Sequence, residues 1–133
     1  MNELTLEASV DNLNQVLSFI DEHLEAMGCS MKKQMQVDVA VEELFVNIAH
    51  YAYGPGKGTA KIQVEQEDGT IVITLIDSGI PYNPLAKEDP DVTLSAAERQ
   101  IGGLGIFMAK KNLDDIQYRY EDGKNILTLR KDC

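Results

Sequence analysis

The sequence predicts an α+β protein: a largely antiparallel sheet with helices packed on one face. Three observations predict it. Two pairs of alternating apolar and polar runs are each joined at Asp-Gly, at Asp68-Gly69 and at Asp122-Gly123, the signature of tight hairpins. Two stretches with helical spacing of apolar residues follow one another in the first half of the chain. The length of 133 residues, with 44% apolar and 26% charged, suits one domain, 1–133, with its own core.

Residues 3–9, ELTLEAS, alternate as a short strand. From Asp11, read as an N-cap, apolar residues at Leu13, Val16, Leu17, Ile20 and Leu24 trace an amphipathic helix that ends near Gly28. A second helix is predicted over 30–53, stopped by the breaker GPGKG. The first hairpin, TAKIQVEQ against TIVITLID, comes next. After a polar, proline-containing stretch at 79–100, a short helix begins at GGLGIFMAKKNL, and the second hairpin, IQYRYE against NILTLRK, completes the order. There is no internal repeat and no low-complexity segment.

A net charge of −10 argues against general binding to nucleic acid or to anionic membranes, both of which need clustered Lys and Arg. No apolar run approaches the roughly 20 residues of a membrane span, and MNELTLEASV does not read as a signal peptide. Cys29 and Cys133 lie far apart, without metal or pairing spacing, and read as unpaired thiols of a reducing cytoplasm.

Three clusters carry possible chemistry. On an ideal helix, Asn47 falls ~40° and His50 ~20° from Glu43, so the three share a face, flanked by Val39 and Val46 and distinct from the core face of Val37, Val41, Leu44 and Ile48. A polar helix edge is the ordinary explanation for such a stripe. A carboxylate and an amide one turn apart also supply a proton acceptor and an oxygen ligand of the kind magnesium takes. In the strand IVITLID, Asp77 shares the phase of Ile71, Ile73 and Leu75, so it points inward at the strand's end. There it either caps the following turn near Gly79 or accepts from a ligand amine, with Pro81 stiffening the turn. Gly102, Gly103 and Gly105 open a helix, where backbone amides suit phosphate oxygens or glycines permit close packing. The cluster matches neither a Walker A loop nor a Rossmann fingerprint. The long connection before it has the size of a functional lid and holds Lys87 and Arg99.

EELFVNIAHYAY, DSGIPYNP and GGLGIFMAKK, in that order, resemble the N box and two glycine boxes of the GHKL ATPase/kinase superfamily. The small size and the D-x-G-x-P-aromatic-[DN]-P form are similar to those of the anti-sigma factor serine/threonine kinases. The resemblance spans essentially the whole chain. It implies the Bergerat fold, a two-layer sandwich whose mixed sheet is mostly antiparallel. It also implies ATP and Mg2+ as ligands, Glu43 as general base and Asn47 as the magnesium ligand. Asp77 would accept from the adenine amine, Gly79 would shape the base pocket, Gly103 and Gly105 would lie beside the phosphates, and 85–101 would form the ATP lid. The implied substrate is a STAS-domain anti-sigma antagonist, with a sigma factor regulated by partner switching and a homodimer as the common assembly. One departure stands out: the histidine found four residues after the asparagine in related kinases is replaced by Tyr51, with His50 one position early. An ATP-dependent adaptor with little transfer activity is the second reading. A stand-alone histidine kinase catalytic domain is the third, since no second helical domain presents a phospho-accepting histidine and His23 reads as a surface residue.

Overall fold

A computed structural model describes residues 2–53, 56–86 and 103–133, with 103–105 described in their backbone only. The strands are β1 (Asn2–Glu7), β2 (Thr59–Glu67), β3 (Thr70–Asp77), β4 (Asp115–Glu121) and β5 (Lys124–Asp132). The helices are α1 (Leu13–Ala26), α2 (Met31–Asn47) and α3 (Gly103–Asn112). The sheet order is β1-β2-β3-β5-β4. Every pairing in it is antiparallel, so the expected mixed sheet has no parallel pair among the described residues.

Local chemistry explains where these elements begin and end. Ser9, not Asp11, caps the first helical region: its hydroxyl accepts from the Asp11 amide at 3.3 Å and starts a 3-10 turn, Val10–Asn12, ahead of α1. A short hydroxyl side chain on extended backbone reaches the exposed amides, whereas Asp11 already lies inside the turn. At the other end of α1, Gly28 adopts φ +75. The Cys29 amide bonds the Leu24 carbonyl at 3.1 Å and the Gly28 amide the Glu25 carbonyl at 3.0 Å, a Schellman stop. Ser30 then caps α2 by accepting from the Lys33 amide at 3.2 Å. Both hairpins turn where expected, with φ 49 and 83 at Asp68 and Gly69 and φ 54 and 76 at Asp122 and Gly123.

The core lies between one sheet face and the helices. Val16, Ile20 and Leu24 of α1 and Val37, Val41 and Leu44 of α2 are buried against Ile62, Ile73, Leu75 and Leu129. α3 contributes Ile106 and Ala109. Lys131 is held at the end of α3, where its ammonium donates to the Asn112 carbonyl at 2.7 Å. A cation there complements the negative end of the helix dipole.

The cysteines depart from the sequence expectation. Cys29, in the turn between α1 and α2, is disulfide-bonded to Cys133 beyond β5, with Cα atoms 4.7 Å apart and a sequence separation of 104. The fold brings the start of α2 beside the end of the central hairpin's neighbour strand, a proximity that linear spacing does not encode. The expectation of unpaired thiols is therefore corrected. Closing so long a loop restricts the unfolded chain, so Cys133→Ser, or reduction of the parent protein, is expected to lower stability by roughly 2–4 kcal/mol. Denaturant unfolding with and without reductant checks this, with a thiol count confirming the starting state.

Candidate functional site

α2 does not continue as a regular helix to residue 53. From Ile48 to Ala52 the backbone winds as a π-helix. Such a segment bonds i→i+5 and turns less per residue than an α-helix, so side chains after Asn47 lag behind the regular spacing. The consequence is visible in which residues face the cleft. His50, expected in line with Glu43 and Asn47, is exposed and lines no part of it. Tyr51 does line it, at 55% exposure. The histidine thus leaves the stripe that regular winding predicts for it, while Tyr51, four residues after Asn47, faces the cleft.

The cleft holds about 400 Å3 of empty space including its open mouth. Asn47, Ile48, Tyr51 and Ala52 form its helix side, and Leu75, Asp77 and Leu127 its sheet side. Ile80, Tyr82 and Pro84 form the wall after β3. Two of the sequence candidates, Asn47 and Asp77, therefore meet on one cavity. Glu43 lies one turn before Asn47 and outside the cavity lining, half-buried on the same helix. Burial raises its carboxyl pKa above the ordinary value, with the neighbouring Glu42 adding to the rise. Val39, expected as an apolar neighbour of the stripe, is exposed to solvent, as are Met31 and Met35 on the preceding turns.

Asp77 is 5% exposed and points inward, as the strand phase predicts. Its Oδ1 accepts from the Gly79 amide at 2.9 Å, which is the turn-capping role, and from the Asn125 side-chain Nδ2 at 2.9 Å. Both of these bonds fall on one oxygen. Gly79 acts through close approach: a Cβ there would stand 2.1 Å from the Ala52 carbonyl oxygen. That carbonyl accepts from the Ile80 amide at 2.8 Å, so the turn after β3 is laid directly against the π-helix. Tyr53 ties the same corner, donating to the Thr59 carbonyl at 2.5 Å and accepting from the Ser78 amide at 2.9 Å.

Asn125 is the residue that sequence reasoning missed. It pairs with Asp77 across β3 and β5 and is 5% exposed. Its Nδ2 also donates to the Ile80 carbonyl at 2.9 Å, and its Oδ1 accepts from the Tyr82 amide at 3.1 Å and the Tyr118 hydroxyl at 2.5 Å. A signal existed: Asn125 shares the inward phase of Leu127 and Leu129, an odd place for an amide. Gly103 and Gly105 form the first turn of α3. Gly102, Lys87, Arg99 and residues 87–101 of the expected lid lie outside the described residues.

A second polar cluster sits away from the cleft, between α1 and α2. Asp21 and Asp38 each bury one carboxyl oxygen without a partner. Burial, a hydrogen bond shared with Asp21, and the charges of Asp21 and Glu42 push the Asp38 pKa up to about 7. A proton held between the two carboxyls satisfies the buried oxygens. The folded state keeps this proton above the pH at which the unfolded chain releases it, near 4. The contribution to stability is therefore full below about pH 4 and lost as pH rises through about 7. Asp38→Asn is expected to stabilise the protein at pH 8 by roughly 1–2 kcal/mol, a figure reduced for the cluster's partial exposure to water, and much less at pH 4. Melting temperatures of both proteins across that range check it.

An antiparallel sheet covered by helices on one face, with a strand-end carboxylate opening onto a cleft beside a helix asparagine, defines a GHKL-type domain. The family profile described as "Histidine kinase-like ATPase domain" matches residues 6–131, and the chain belongs to that family. Among its relatives, the serine/threonine-protein kinase BtrW of Bordetella bronchiseptica is 26% identical over 101 residues, covering 75% of this chain and 71% of that protein. The serine-protein kinase RsbW of Bacillus mycoides is 25% identical over 108 residues, covering 78% and 68%. Of solved structures, the RsbU and RsbW domains of a Mycobacterium tuberculosis protein superpose with a TM-score of 0.63 at 16% identity, over 99% of this chain and 32% of that one. A histidine kinase domain from Erythrobacter litoralis superposes with a TM-score of 0.57 at 15% identity, over 92% of this chain and 60% of that one. At these identities the structures establish the fold. Among the described residues no helix is long and apolar enough to cross a membrane.

Proposed function

We propose that the protein is an ATP-dependent serine/threonine kinase of the anti-sigma factor type. The observation that carries this is the meeting of Asn47 and Asp77 on one mostly apolar cleft within a histidine kinase-like ATPase domain. The residues fit an adenine nucleotide. Leu75, Ala52, Ile80 and Leu127 offer apolar walls to a flat base, and the described hydrogen bonds of Asp77 leave its Oδ2 for an incoming amine. Asn47 would give one side-chain oxygen to Mg2+, which characteristically keeps waters and phosphate oxygens for its remaining ligands. Bound Mg·ATP supplies the phosphoryl group and neutralises its charge. Gly103 and Gly105, in the first turn of α3, would lie beside the phosphates.

Glu43 would accept the proton of an incoming hydroxyl as its oxygen bonds to phosphorus and the bond to the leaving ADP breaks. A carboxyl whose pKa is raised by burial is a better proton acceptor than an ordinary one. The substrate we propose is a serine or threonine of a STAS-domain anti-sigma antagonist, with a sigma factor as the regulated partner, a homodimer as the assembly and the cytoplasm as the location. The relatives named as serine kinases support this reading.

Asp77→Asn tests the nucleotide site. It replaces an acceptor with a group that turns either an amide or a single carbonyl toward the base. ATP affinity is expected to fall by roughly 30-fold or more in calorimetric titration with magnesium. Unchanged affinity would remove Asp77 from the site.

A further inference from the structure

We infer that Asn125 is a positioning residue that makes the cleft select a base carrying an exocyclic amine, by holding Asp77 with one carboxylate oxygen presented as a bare acceptor. The inference rests on the nucleotide reading above and assigns a role to a residue that lines the cleft with its hydrogen-bonding capacity spent within the protein.

The orientation of the Asn125 amide is settled by backbone groups. The Tyr82 amide can only donate and the Ile80 carbonyl can only accept, so Oδ1 must face the first and Nδ2 the second. The second hydrogen of Nδ2 then goes to Asp77 Oδ1, and the second lone pair of Oδ1 takes the Tyr118 hydroxyl. All four hydrogen-bonding capacities of the amide are used, and none remains for a ligand. Its hydrogen-bonding influence on a bound base passes through what it holds.

What it holds is the polarity of the pocket floor. Asp77 Oδ1 receives two N–H donors, from Gly79 and Asn125, which fixes the carboxylate plane and directs the binding capacity to Oδ2. An adenine amine finds an acceptor there. A base with a carbonyl at the same position, such as hypoxanthine, brings acceptor against acceptor, and a site built for one polarity rejects the other strongly. The same amide pins Ile80 and Tyr82, which form the cleft wall after β3. With Asn125 removed, the carboxylate is free to rotate and the wall loses two ties.

The test measures binding of ATP and of ITP, which carries the 6-oxo base, to the parent protein, Asn125→Leu, Tyr118→Phe, Asp77→Asn and the Asn125→Leu/Asp77→Asn double variant. Asn125→Leu is expected to weaken ATP by roughly 10- to 100-fold and ITP far less, so the ATP-to-ITP ratio contracts. In the Asp77→Asn background the same change is expected to cost less than about 3-fold, because the group it acts through is already altered. Equal weakening of both nucleotides, or multiplicative effects in the double variant, would overturn the role. Should Asn125→Leu not fold, Tyr118→Phe decides. That variant loses one hydroxyl from a half-buried position, and a ratio equal to the parent's overturns the inference. If the parent binds neither nucleotide, the nucleotide reading fails and takes this inference with it. ATP binding that depends on Asp77 but not on Asn125 overturns this inference alone.

Discussion

Glu43→Ala is expected to bind ATP within about 2-fold of the parent and to transfer phosphate slower by on the order of 10²–10⁴, the usual worth of a positioned base. The separation follows from where Glu43 sits. It is one turn from Asn47 on α2 and outside the cavity lining, so it has no part in holding a base. Its raised pKa adds a second signature. Transfer by the parent protein should fall as pH drops through the Glu43 pKa, which lies above the usual glutamate range, while ATP affinity stays level across that window. Single-turnover transfer to a STAS-domain substrate, set beside calorimetric binding, separates the two effects. A variant that transfers at the parent rate removes Glu43 as base. A variant that still regulates its partner without transfer would favour an adaptor.

Gly79→Ala is expected to have the largest effect on the cleft as a whole. The new methyl would sit 2.1 Å from the Ala52 carbonyl oxygen and 2.5 Å from its carbonyl carbon, both backbone atoms that cannot step aside as a side-chain tip can. The turn after β3 must lift away from the π-helix, breaking the Ile80-to-Ala52 bond and moving Ile80 away from the cavity. A loss of roughly 2–4 kcal/mol in stability is expected from overpacking and a broken backbone bond, with nucleotide binding lost in whatever remains folded. Denaturant unfolding and nucleotide titration check the two parts. Gly79 thus serves the pocket from behind, by allowing contact between two backbones.

Much of this was legible in the sequence because the governing interactions are local or periodic. Asp-Gly turns accept positive φ, so both hairpins and their registers follow from a few residues. The inward direction of Asp77 follows from strand alternation alone, and the core face of α2 from its spacing. What escaped depends on contacts between distant parts. The partnership of Asn125 with Asp77 needs the β3–β5 register, which joins strands that are not neighbours in sequence. The pairing of Cys29 with Cys133 needs the complete fold. The π-helix lies between: IAHYA carries no glycine or proline to announce it, and regular winding placed His50 in line with Glu43 and Asn47. The cap at Ser9 shows the smaller kind of miss, in which two suitable side chains stand close together and the backbone chooses between them.

The bond between Cys29 and Cys133 turns most of the chain into a ring. Every residue lining the cleft, from Leu44 to Leu127, lies on that ring, and so does the stretch that separates β3 from α3. One peptide cleavage anywhere on it opens the ring without releasing a fragment. A protease cut between β3 and α3 would therefore leave a molecule of unchanged mass, apart from one added water, until a reductant parts the two pieces. Gels run with and without reductant would report the cut and the bond together.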